Sequence, residues 1–346
     1  MVSRILGLSS LGSSDICPVT WYLPRWSEGI TADPRFEDAA NVDGGAWTGN
    51  SVDSCMSAQA RSARGLLGEA VQKSESDLEL GRAVLLIAQE EYPQLPVERY
   101  MMRFDALAES AKDRLADETA GPVVLRELIH TLYEREGFRG NKDVYHDPRN
   151  SFLNDVLDRR LGIPLTLGIV LLEVGWRLDL PLEGVNFPGR FLVRYRGVSE
   201  HFLVDPFDEG RICFEDEAQE LLDKVYGGMV RMQDQFLRSA TKRDMIHRLL
   251  VNLKSLYVNV HDDERALAVV ERLLLLRSDS PGERRDRGML LVKLGRAREA
   301  RDQLQEYLDY APQAADAARI RTLVQRLDSE EGSSSIDSAD GPDLEE

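Results

Sequence analysis

The sequence is poor in the residues that hold metals, disulfides or phosphates. Its three cysteines, Cys17, Cys55 and Cys213, are far apart and odd in number, so they make neither a disulfide framework nor paired metal ligands. The histidines, His130, His146, His201, His247 and His261, are equally scattered. No metal and no cofactor is therefore expected, and sparse cysteine fits a reducing compartment. No cluster of Lys and Arg stands out against a formal net charge of -17. Without clustered cations to displace phosphate counterions, neither nucleic acid nor an anionic membrane is an expected partner. There is also no run of about 18 uncharged apolar residues. The best stretch, Ile163 to Leu178, is interrupted by Glu173 and Arg177. The N-terminus lacks a sustained apolar core before a cleavage site, and Asp15, Glu28, Asp33, Glu37 and Asp38 are foreign to an acid-poor transit peptide. A cytoplasmic location is the expectation. Gly184-Val185-Asn186-Phe187-Pro188-Gly189 has neither the spacing nor the following helix of a phosphate loop.

What is present supports a packed core. With 346 residues, 42% of them apolar, the chain can form two modest domains plus tails. Residues 1–57 show no sustained periodicity and are expected to be a disordered extension. Met56 directly precedes a regular helical pattern; one hypothesis is that it is the natural start, which N-terminal mass spectrometry of the native protein would test, and a functional binding arm is the alternative. Helical spacing then predicts elements near Leu66–Val71, Leu78–Glu91, Val97–Leu115 and Pro122–Glu136. Asn150 or Ser151 is expected to cap a short helix, Phe152–Arg160, ended by Gly162. Pro164 opens a helix that is apolar nearly all round and hence buried on most sides, with Trp176 against the preceding helices. Leu182–Val185, Arg190–Tyr195, His201–Val204 and Arg211–Phe214 read as strands.

This order has the logic of a papain-like site. A nucleophile sits at a helix N-terminus, where backbone N–H groups stabilise a thiolate, and a histidine and a carboxylate follow on strands. No cysteine stands at the helix start. GIPLTLGIVLLEV, GVNFPGRFLVRY and HFLVDPFDEG nevertheless resemble the bacterial transglutaminase-like family with C-terminal tetratricopeptide repeats, named after an invasion-gene regulator. The resemblance covers roughly residues 75–328. It implies an α+β transglutaminase-like (papain-like) core preceded by helices and followed by an all-α tetratricopeptide-type segment. It also places Pro164 at the nucleophile position, Arg190 where relatives usually have the histidine of Pro-Gly-His, and Asp205 at the carboxylate position. A proline has no nucleophile and a guanidinium stays protonated, so two of the three roles are unfilled.

Other residues offer little rescue. His201 lies four residues from Asp205 on one strand, about 13 Å away at strand rise. Thr166 is near the helix start and is a candidate cleft residue, but without an evident base. Cys213 reads as a core or edge residue, and the remaining histidines as ordinary helix or loop positions. An Arg190–Asp205 ion pair between paired antiparallel strands is the favoured expectation. Recognition of an acidic peptide or terminal carboxylate by Arg190 is the alternative.

Between Met245 and Tyr310 a 34-residue self-similarity appears, with Gly288, Ala300, Tyr307 and Pro312 at tetratricopeptide positions. The preceding unit keeps Leu253, Tyr257 and Ala266 but has Lys254 where a small residue belongs. A helix over Ala314–Leu327 is expected to cap the stack. From Ser329 the chain holds seven acidic residues and no basic one, the pattern of a solvated, disordered tail. The expected division is 1–57 extension, 58–235 transglutaminase-like domain, 240–328 repeats and 329–346 tail. The functional expectation is a non-catalytic module that binds a protein or peptide. A hydrolase or acyl transferase with a non-standard nucleophile is the rival.

Overall fold

The computed structural model describes residues 56–198 and 200–336. The extension before Met56, with Cys17 and Cys55, and the last ten residues lie outside the described residues.

Among the described residues six α-helices precede the main sheet: α1 (Met56–Gln72), α2 (Leu80–Glu91), α3 (Val97–Leu115), α4 (Gly121–Ile129), α5 (Leu153–Arg159) and α6 (Pro164–Arg177). Proline enters α4 and α6 at the first turn, where its missing N–H costs nothing. Every residue of α6 from Pro164 to Gly175 is buried, as its unbroken apolar sequence requires. Its one acid in that stretch, Glu173, accepts from Gly81 N at the start of α2 (2.7 Å) and from Arg177 Nη1 (2.6 Å). A buried carboxylate is thus offset by a helix N-terminus and a guanidinium.

Against α6 lies an antiparallel sheet of order β6-β5-β4-β3-β7: β3 (Leu182–Val185), β4 (Leu192–Arg196), β5 (His201–Asp205), β6 (Arg211–Cys213) and β7 (Ser239–Ala240). Strand alternation sorts its two faces. Val193, Tyr195, Phe202 and Val204 join the large core around α6. Leu192, Leu203 and Cys213 join a smaller core under α7 (Ala218–Tyr226). Gly168 sits where α6 crosses the sheet, and a Cβ there would lie 2.4 Å from the Phe191 ring, so only glycine permits this approach. A short parallel pair, β1 (Arg139–Gly140) and β2 (Leu161–Gly162), ties the loop before α5 to the start of α6.

The last five helices are α8 (Lys242–Asn259), α9 (Asp263–Leu276), α10 (Pro281–Lys293), α11 (Ala297–Tyr310) and α12 (Ala317–Ile336). They form antiparallel pairs, and one apolar core runs from Leu67 through Leu327, so the repeats share their interior with the helices ahead of them. Polar ties reinforce the junction. Arg272, 3% exposed, donates to Ile87 O (3.1 Å), and Arg64 pairs with both Glu90 and Glu271. The segment 235–240 contributes β7, which pairs with β3, rather than acting as a free linker.

Several local expectations are corrected. Phe152, with no side-chain bond, takes the N-cap of α5, because the Asn150 amide is occupied in the preceding loop. α5 ends at Arg160 in a left-handed conformation (φ 61°), and Gly162 belongs to β2. The helix expected over Pro122–Glu136 widens after Ile129 into a π-helical turn, His130–Arg135. Trp176 packs against the large core and also donates from Nε1 to Leu182 O (2.9 Å) beneath the Lys242 ammonium. α12 runs to Ile336, past the expected tail boundary at Ser329.

Candidate functional site

The start of α6 is closed by its own backbone chemistry. Thr166 Oγ1 accepts from Ile163 N (3.1 Å) and donates to Asn150 O (2.7 Å), and Thr166 is fully buried. Asn150 is itself fixed, its Nδ2 donating to Val144 O (2.7 Å) and its Oδ1 accepting from Asn141 Nδ2 (3.0 Å). The expectation that Thr166 faces the cleft is therefore corrected: its hydroxyl caps the helix and anchors the 141–150 loop. Thr166→Val keeps the shape but strands Ile163 N–H and Asn150 O, and is expected to cost about 1–3 kcal/mol in urea denaturation. Pro164, also buried, presents only its ring.

Arg190 Nη1 pairs with Asp205 Oδ2, with Asp205 1% and Arg190 24% exposed at the side chain. The route differs from the expected strand-to-strand contact. β4 begins at Leu192, and Arg190 sits in the turn before it, its N–H bonded to Phe187 O (3.1 Å) next to Gly189 at φ 70°. Pro188 and Gly189 bend the chain so that a residue just outside the ladder reaches the last residue of β5. The other carboxylate oxygen, Oδ1, accepts from Phe207 N (3.0 Å) and Asp208 N (3.3 Å), which makes the Asp-Pro-Phe corner. Burial pushes the Asp205 carboxyl above its ordinary value, while Arg190 and the two backbone N–H groups pull it back.

Three features around this pair escape a reading of sequence. Arg248 of α8 donates to Arg190 O (2.8 Å), Phe187 O (3.4 Å) and Asn186 Oδ1 (3.3 Å), so the first repeat helix clips the turn that carries Arg190. Tyr133, from the π-helical turn, packs its ring against Gly210. Burial, and then the Asp205 charge, push its hydroxyl above the usual phenol range. Tyr145, from the loop that Asn150 holds, meets Phe207 edge-on (5.9 Å between centroids), with His146 beyond it. Arg248 reads as one more basic residue of a helix, and Tyr133 as one more apolar one. Only the proline and glycine spacing of 137–150 hints at a constrained loop.

The alternative nucleophiles are placed elsewhere. Cys213 lies on the α7 face of the sheet, and burial raises its thiol pKa, the opposite of an activated thiolate. His201 is exposed at the far end of β5 from Asp205. Among the described residues no group of three or more His, Cys, Asp or Glu side chains has metal-binding geometry, and no helix is long and apolar enough to cross a membrane.

The fold and the Arg–Asp corner define a transglutaminase-like core carrying a tetratricopeptide pair. Comparison with known families agrees: residues 98–251 match the transglutaminase-like superfamily and residues 253–325 the tetratricopeptide repeat. A UPF0162 protein of Xylella fastidiosa is 35% identical over 74% of this chain and 92% of its own length. One from Vibrio cholerae is 30% identical over 75% and 93%. The chain belongs to the UPF0162 family. Protein SirB1 of Salmonella typhimurium is similar as well, 28% identical over 64% of this chain and 83% of its own.

Proposed function

We propose that this chain is a non-catalytic transglutaminase-like protein that acts in the cytoplasm as a protein-interaction or regulatory module. The observation that carries the reading is the Arg190–Asp205 pair. The carboxylate that would orient a catalytic base is bound instead to a permanent cation. Pro164 supports it by leaving the helix start without a nucleophile, and Thr166 by committing its hydroxyl to the cap. Tetratricopeptide segments generally mediate protein–protein contacts, which favours a protein or peptide partner over a small substrate.

The reading is tested by incubating the full chain with a glutaminyl peptide and a labelled primary amine, and separately with an activated ester. Incorporation and hydrolysis are expected to equal those of a heat-denatured control. Turnover above that control, removed by Thr166→Ala or Arg190→Ala in protein that remains folded, would establish the rival acyl-transfer chemistry.

A further inference from the structure

On α12, Arg319, Thr322, Leu323 and Arg326 fall on one face of the helix. With Met289 of α10 and Ile320 they line a groove of about 370 Å³. Met289 and Leu323 are half-buried and form an apolar floor, while both arginines are exposed at its edges. Neighbouring cations are engaged: Arg284 with Glu306, Arg285 with Asp286 and Asp316, and Arg287 with Glu271. Arg319 and Arg326 form no ion pair among the described residues. In a chain of net charge -17, two unpaired guanidinium groups flanking an apolar floor make a local site for anionic, partly apolar chain.

We propose that this groove is a docking site for an acidic peptide segment, and that its occupant is the chain's own residues 337–346. That segment reads DSADGPDLEE, with five acidic residues, no basic one, and a single leucine, Leu344, among the acids. It follows directly on α12, which ends at Ile336. At 1.5 Å per residue, Arg326 lies about 15 Å and Arg319 about 25 Å back along the helix from that end. Ten extended residues reach about 33 Å; a reversal that takes three of them leaves about 23 Å, enough to pass Arg326 and bring the last residues to Arg319 within side-chain reach. Its carboxylates meet Arg326 and Arg319 while Leu344 faces Met289 and Leu323. The inference concerns a surface separate from the Arg190–Asp205 corner and holds whether or not that corner is catalytic.

The test uses the full chain and a fluorescent synthetic peptide of residues 335–346, followed by anisotropy. One variant carries a neutralised tail: Asp337→Asn, Asp340→Asn, Asp343→Asn, Glu345→Gln and Glu346→Gln. Because the native segment is a tethered competitor at roughly millimolar effective concentration, the neutralised chain should bind the peptide at least tenfold more tightly than wild type. Adding Arg319→Glu and Arg326→Glu to that background should weaken binding at least tenfold, with the circular dichroism spectrum unchanged. Equal affinity of wild-type and neutralised chains overturns the proposal, as does binding that ignores the two arginines or an absence of binding. Sedimentation that shows a dimer lost on tail neutralisation would assign the segment to a second copy and overturn docking within one chain.

Discussion

Lys254→Ala lowers the unfolding free energy by about 3–5 kcal/mol, the range for removing one partner of a buried ion pair. The Lys254 side chain is 7% exposed, and its Nζ lies 2.7 Å from Glu283 Oε2 and 2.6 Å from Asp286 Oδ2. Burial works against its charge, but Asp286 and Glu283 outweigh burial and raise its pKa. Truncation leaves Glu283 with no paired cation and Asp286 with Arg285 alone, in the gap between α8 and α10. Burial already raises the Glu283 carboxyl, and Lys254 holds it down, so the variant raises it further. A carboxyl whose folded value lies above its unfolded value favours folding below the unfolded value, about 4.3. That contribution is lost as pH rises through the folded value. The deficit of Lys254→Ala is therefore largest at neutral pH and shrinks on acidification. Urea denaturation at pH 7 and pH 4.5 reads both effects. A double variant, Lys254→Met with Glu283→Gln, should recover much of the loss by removing the unpaired Glu283 charge, since Asp286 keeps its Arg285 partner (2.8 Å).

Arg190→Ala is expected to cost about 2–3 kcal/mol, below the full range for a buried pair. Two backbone donors still hold Asp205 Oδ1, and the guanidinium is a quarter exposed. The sign of the pH effect is the same. Asp205 already has its folded value raised by burial, and losing Arg190 raises it further. Its favourable contribution is present below the unfolded value and lost as pH rises through the folded one, so the difference between variant and wild type grows from acid toward neutral pH.

The elements that sequence predicts well are those with long, consistent periodicity. Val97–Leu115 is α3 to the residue, and Leu182–Val185 is β3. Pro164 at the head of a nearly all-apolar segment identifies the central buried helix. Tertiary and polar competition decide the rest. Asn150 looks like a cap, but its amide is taken by a loop that local reasoning does not fold. The two-residue strands β1 and β2 are too short to show alternation. Lys254 reads as a flaw in a repeat because Glu283 and Asp286 stand 29 and 32 positions later. Its second-unit counterpart, Gly288, follows the packing rule, with Leu304 2.6 Å from where a Cβ would be. At the corner, the pairing of Arg190 with Asp205 was expected from the sequence, and the two side chains do meet. The turn that delivers Arg190 and the α8 arginine that clips it were not expected, since both depend on contacts between distant segments.

The Arg190–Asp205 ion pair, on which the proposed reading rests, is tested most directly by a double-mutant cycle at pH 7. Arg190→Ala, Asp205→Asn and the double variant are compared with wild type by urea denaturation. A coupling of about 1–3 kcal/mol between the two positions is predicted. Changes that add to within about 0.3 kcal/mol would contradict it, because the two side chains would then be neighbours without depending on each other.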